Sequence, residues 1–135
     1  MQFNTEPQNQ DFHIDGIRHV LPVDAYSVNE DPDFLFLDVR EEFELVLALI
    51  DVQKFECCSL SVILEKLECL SKDQSIIVLS NKGERSCKVA NLLSVQGFTD
   101  VYNLDGGIKA WAEAGLPMKS CSSEQCGSCS CGCES

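Results

Sequence analysis

In this 135-residue sequence Phe34-Leu35-Phe36-Leu37 and Ile76-Ile77-Val78-Leu79 are each apolar without interruption. A strand with one face in water alternates apolar and polar side chains. A run with no alternation suits a strand covered on both faces, as in a parallel sheet. The segments between the two runs fit that frame. Pro22 to Val28 suits a short helix with proline in its first turn, and Glu41 to Leu49 reads as helix. A short strand is expected around Lys54 to Glu56. Ser59 is placed to cap a helix through Val62, Ile63, Leu64 and Leu67. After a turn at Ser71-Lys72-Asp73-Gln74, Ser75 to Leu79 is the clearest strand. A loop from Ser80 to Glu84 leads to a helix that starts near Arg85. That helix carries Val89, Leu92, Leu93 and Gln96 at helical spacing and stops at Gly97. Asp100 to Asn103 is a further strand. Gly106-Gly107 then turns the chain into a last helix holding Ile108, Ala110 and Trp111, the last expected as a core anchor. Strands alternating with helices imply βαβ units and a mainly parallel sheet.

The boundaries follow composition. Residues 1–16 are polar and read as a flexible leader, 17–118 as one α/β domain, and 119–135 as a flexible tail rich in Ser, Cys and Gly. No stretch approaches the roughly 20 apolar residues of a membrane span. The first ten residues lack the basic and apolar regions of a secretory signal, so a cytoplasmic protein is expected. A net charge of −12 disfavours nucleic acid and anionic membranes as partners. It does not exclude a small anion, because a local site can be positive inside a negative protein.

The loop after the strongest strand is the candidate site. In Ser80-Asn81-Lys82-Gly83-Glu84-Arg85-Ser86, a glycine allows tight curvature just before a helix N-terminus. Backbone N–H groups and the helix dipole favour an anion there. Lys82 and Arg85 add charge, and Arg85 can fork onto oxygens. The same residues also suit a plain strand-to-helix turn whose charges face water.

Three segments resemble the rhodanese family, in order and over about residues 17 to 118. Asp38-Val39-Arg40-Glu41 resembles the family's first motif at the end of a buried strand. Ile76 to Ser86 resembles its active-site segment, Cys-x-x-x-x-Arg-Ser after a hydrophobic strand. Gly97 to Trp111 resembles its C-terminal motif almost throughout. The resemblance implies a three-layer fold with helices on both faces of the sheet, and sulfane-sulfur chemistry on a small sulfur-containing anion or a protein persulfide. Asp38 and Arg40 are expected as structural support. Two departures stand out. Ser80 occupies the nucleophile position, and Leu49-Ile50-Asp51-Val52-Gln53 replaces the family's Gly-His-Ile-Pro-Gly-Ala stretch. A serine hydroxyl is not measurably acidic at neutral pH, and its oxygen cannot carry a persulfide. No base obviously rescues it, since the only histidines, His13 and His19, lie in the N-terminal segment. Weak or absent sulfurtransferase activity is therefore expected. The alternatives are a non-catalytic regulatory module and an active sulfurtransferase whose cysteine was replaced by serine. Four residues separate Ser80 from Arg85, as in sulfurtransferases. The phosphatases of the same fold usually carry one more.

Nine cysteines are distributed unevenly. Cys57, Cys58, Cys69 and Cys87 lie in the body and suit small buried residues, with Cys58 expected near the loop mouth. Cys87, in the first turn of the helix, is a weak candidate to replace the nucleophile. Cys121, Cys126, Cys129, Cys131 and Cys133 crowd the tail. The last four suit a Zn²⁺ or Cu(I) site, a persulfide relay, or no specific role. No cofactor is otherwise required.

Overall fold

The computed structural model describes residues 10, 14, 16–41, 49–59, 63–66 and 70–119. Within them the chain runs β1 (Arg18–Val20), α1 (Pro22–Ser27), β2 (Phe34–Asp38), β3 (Leu49–Ile50), β4 (Phe55–Cys57), α2 (Ile63–Lys66), β5 (Ser75–Leu79), α3 (Glu84–Val95), β6 (Val101–Leu104), α4 (Gly107–Glu113) and β7 (Met118–Lys119). Five strands form one sheet in the order β1-β6-β5-β2-β4. Every pairing in it is parallel, with Phe36 opposite Ile77 and Ile77 opposite Tyr102.

The unbroken apolar runs have the cause the sequence suggests. Phe34, Phe36, Ile77 and Leu79 face one layer with Ala25 of α1 and Ile108 and Trp111 of α4. Leu37, Ile76 and Val78 face the other, with Ile63 of α2 and Val89, Ala90 and Leu93 of α3. Helices thus cover both faces, and the expected α/β architecture stands. Trp111 is fully buried. It meets Tyr26 and Phe36 edge-on, and its Nε1–H donates to the Pro117 carbonyl at 2.8 Å.

Several elements differ from the sequence reading. Leu49, expected to end a helix, lies in a two-residue strand paired antiparallel with β7. The rest of that expected helix, 42–48, lies outside the described residues. The stretch that departs from the family motif is held by β7 and by Asp51 N–H donating to the Pro117 carbonyl. Strand β1 carries no clear sequence signal, because Arg18 and His19 interrupt its apolar residues. Its place at the sheet edge comes from pairing with β6. Among the described residues, no helix is long and apolar enough to cross a membrane.

Candidate functional site

Parallel strands release their following loops at one end of the sheet. The ends of β2, β5 and β6 therefore bring Arg40, Ser80 and Gly106 together. The turn into α3 is possible because Gly83, its N-cap, adopts φ +92°, a left-handed conformation natural to glycine. Two loop amides then turn inward on residue 80. Gly83 N–H and Ser86 N–H donate to Ser80 Oγ at 3.1 and 3.3 Å. Ser80 is 1% exposed.

Three further elements grip this loop. The first-turn amides of α4 donate to it, Ile108 N–H to the Ser80 carbonyl at 2.9 Å and Lys109 N–H to the Asn81 carbonyl at 3.0 Å. Helix N-terminal donors lack intrahelical acceptors, so these bonds satisfy both structures at once. Arg40, just past β2, donates from its NH1 nitrogen to Asn81 Oδ1 at 3.3 Å. Its Nε and NH2 groups fork onto Asp38 at 3.1 and 2.8 Å. Both partners of that ion pair are buried. Asp38 and Arg40 thus tie a strand end to the loop rather than face a ligand.

The third grip comes from Gln10, which the sequence reading assigns to the leader. Its Nε2 donates to the Gly83 carbonyl at 3.1 Å, and its Oε1 accepts from Gly106 N–H at 2.8 Å and from Asn103 Nδ2 at 3.1 Å. Asn103 Nδ2 also donates to His19 Nδ1 at 3.1 Å, and Ser86 Oγ bonds Asn103 Oδ1. Sequence reasoning gave no site role to Gln10, His19 or Asn103: Gln10 lies in the leader, His19 lies upstream of every motif, and Asn103 sits inside the third motif without a role of its own.

The hydrogens along this chain follow from two backbone groups that have no choice. Gly106 N–H can only donate, so the Gln10 atom facing it is oxygen. The Gly83 carbonyl can only accept, so the other is nitrogen. Gln10 oxygen then requires a donor from Asn103, which leaves Asn103 oxygen facing Ser86. Ser86 gives its single hydrogen to that oxygen. The 3.1 Å contact between the Ser80 and Ser86 hydroxyls is therefore donated by Ser80. Ser80 oxygen thus accepts two amides and points its own hydrogen inward. His19 Nδ1 is an acceptor and carries no proton. An amide separates it from Ser86, so it cannot withdraw the Ser80 proton. His13 lies outside the described residues.

Cys87 does not replace the nucleophile. It is fully buried, and burial pushes its thiol up, against a smaller opposing effect from a backbone hydrogen bond at Ile14. A thiol held protonated is a poor attacking group. Cys57 is buried at the end of β4. Cys58 is buried in the core cluster with Leu37, Val39 and Ile63, and its N–H donates to the Asp38 carbonyl at 2.8 Å. Cys69, Cys121, Cys126, Cys129, Cys131 and Cys133 lie outside the described residues. Within the loop, Lys82 and Glu84 are exposed, while Asn81 and Arg85 are partly buried.

The fold and site define a parallel α/β domain with a glycine-turned loop at its strand ends and two amides converging on the residue after the central strand. The chain belongs to the rhodanese-like domain family, whose sequence profile matches residues 5–114. It is 32% identical over 87 residues to a sulfurtransferase of Allochromatium vinosum, an alignment covering 64% of this chain and 78% of that protein. Its fold is similar to a rhodanese-related protein of Thermoplasma volcanium, with TM-score 0.67, 30% identity, and 76% and 97% of the two chains covered. It is also similar to a polysulfide-sulfur transferase of Wolinella succinogenes, with TM-score 0.66, 30% identity, and 75% and 78% covered. Several relatives of this chain carry the name sulfurtransferase.

Proposed function

We propose that this chain acts in sulfane-sulfur handling as a docking member of its family. Residues 80–86 receive a small sulfur-containing anion or the persulfide of a partner protein. Transfer through residue 80 is weak or absent in this form. The observation that carries this reading is the state of the Ser80 hydroxyl. Its oxygen already accepts two amides and its hydrogen is directed at Ser86. Nucleophilic serine needs a base at its proton, and here the proton faces a second hydroxyl. Oxygen also cannot store sulfane sulfur as a thiolate does.

The sulfurtransferase relatives supply the substrate class. The chemistry then falls to another thiol, and Cys126, Cys129, Cys131 and Cys133 are the candidates, as a persulfide relay or as ligands for Zn²⁺ or Cu(I). Docking itself requires no cofactor.

The test is sulfur transfer from thiosulfate to cyanide by the chain as given, by Ser80→Cys, and by a form with the five tail cysteines changed to serine. We expect negligible turnover from the first and a gain of at least about 100-fold from Ser80→Cys, on the scale by which an activated nucleophile matters. Substantial turnover by the form that keeps Ser80 and lacks the tail thiols would refute the reading. Elemental analysis after purification without chelator tests the tail. Less than about a tenth of an equivalent of Zn or Cu argues against a tight four-thiolate site.

A further inference from the structure

The hydrogen-bond chain from Gln10 to Ser80 has a direction, and one residue sets it. Asn103 presents an oxygen and a nitrogen of nearly equal size, so its amide can face either way unless something breaks the tie. Ser86, next along, can donate or accept. His19 Nδ1 can do either, depending on its tautomer. None of these three fixes the polarity of the chain alone. Gln10 does, because its two ends are pinned by groups with one role each, Gly106 N–H and the Gly83 carbonyl.

We propose that Gln10 is a positioning residue for the loop, whose carboxamide imposes the donor–acceptor order that runs through Asn103 and Ser86 to the atom at position 80. With that order in force, the Ser86 hydroxyl is committed to Asn103 and donates nothing to residue 80. Whatever occupies the loop centre is then held by the amides of Gly83 and Ser86. The same carboxamide ties Gly83, whose N–H points into the loop, to Gly106 at the start of α4. Gln10 lies in sequence before β1, so a segment outside the three family motifs reaches their shared centre. The carboxamide also lies against the Cα of Gly83, and a Cβ built at Gly83 would meet it. That contact explains why Gly83 is buried although its neighbours Lys82 and Glu84 are exposed.

The functional meaning of this role rests on the anion-docking reading, but its decisive test does not use activity. The side-chain NH₂ signals of Asn103 report which way its amide faces, by nitrogen-edited NMR of the full chain. Two substitutions separate polarity from packing. Gln10→Met keeps the length and loses both hydrogen-bonding ends. Gln10→Glu keeps an oxygen for Gly106 N–H and Asn103 Nδ2 and loses the donor to Gly83. If Gln10 orders the chain, Gln10→Glu preserves the two Asn103 signals. Gln10→Met shifts them or speeds their exchange with water at least about tenfold. If Gln10 acts by filling space, the methionine form preserves the signals and the glutamate form, with charge set against a carbonyl, disturbs them. That second result, or no change in either form, overturns the proposal.

A thiosulfate titration of the same three proteins, read at the Gly83 and Ser86 amides, connects this role to docking. Binding is expected to weaken by about fivefold in Gln10→Met, the size of one net hydrogen bond. No response in the parent chain counts against anion docking, and the Asn103 signals then decide the role of Gln10 alone.

Discussion

Changing Asp38 to Asn removes one charge and almost no volume, so its cost reports what it takes to leave Arg40 buried without its counter-charge. Asp38 is 0% exposed and Arg40 2%. The guanidinium reaches the carboxylate with Nε at 3.1 Å and with NH2 at 2.8 Å, and the Arg40 backbone N–H adds a bond at 3.0 Å. Water does not screen a pair so placed. Removing one partner of a buried pair costs about 3–5 kcal/mol, because the other charge keeps its desolvation penalty without its counter-charge. Domains of this kind are held by about 5–15 kcal/mol, so Asp38→Asn would take about a fifth or more of the total. With a urea m-value of about 1.5 kcal/mol/M, the unfolding midpoint falls by about 2–3 M. The assay is urea unfolding followed by tryptophan fluorescence, since Trp111 sits in the core. A second form, Asp38→Asn with Arg40→Met, removes both charges and keeps the arginine stem's bulk. It should recover at least about half of the loss. A single substitution costing under about 1 kcal/mol, or a double no more stable than the single, would refute the claim that burial makes this pair strong.

Three further outcomes are expected. The Cys87 thiol, raised by burial, should resist iodoacetamide at pH 8 by at least about 100-fold relative to a free cysteine, read by residue-resolved mass spectrometry. Rapid labelling of the native protein would contradict its placement. Burial raises the Asp100 carboxyl, but hydrogen bonds from Ser75 and Tyr102 and the Arg18 charge outweigh it, so the net direction is down. A lowered carboxyl contributes stability above its unfolded value of about 4, and that stability is lost as pH falls below it. Asp100→Asn should therefore flatten the acid limb of the stability profile below about pH 4, and an unchanged limb would count against the contact. Gly107 has φ +66°, and a Cβ there would lie 2.7 Å from the carbonyl carbon of Asn81. Gly107→Ala should cost more than the roughly 1–2 kcal/mol of a left-handed alanine and should shift the amide signals of Ile108 and Lys109.

The sheet was legible because its signal is local. An apolar run with no polar interruption has few explanations, and both runs became central strands, β2 and β5. Helix α3 was legible for the same kind of reason, periodic residues ended by a glycine. The misses share a different cause. Strand β1 is three residues long with two polar side chains, and it is a strand only because β6 offers an edge. Ile50 and Met118 lie 68 positions apart, and nothing near either announces their pairing. At the site, the loop could be read because its residues are contiguous. The Gln10–Asn103–His19 cluster could not, because three polar residues scattered from position 10 to 103 carry no joint pattern until the sheet brings β1 beside β6.

The geometry of the loop also bears on how a serine can stand at its centre without remodelling it. Its backbone is held by bonds that involve no atom of the residue-80 side chain. Ile108 and Lys109 hold the carbonyls of residues 80 and 81, Arg40 holds the Asn81 side chain, and Gln10 holds the carbonyl of Gly83. Only the inward amides of Gly83 and Ser86 use the Ser80 oxygen. Exchanging sulfur for oxygen at one atom therefore changes what the centre can react with and leaves the frame to the surrounding chain. Shape and chemistry are set by different atoms here. The loop's shape therefore does not depend on which atom stands at the end of residue 80, and Ser80→Cys is a fair test of the frame.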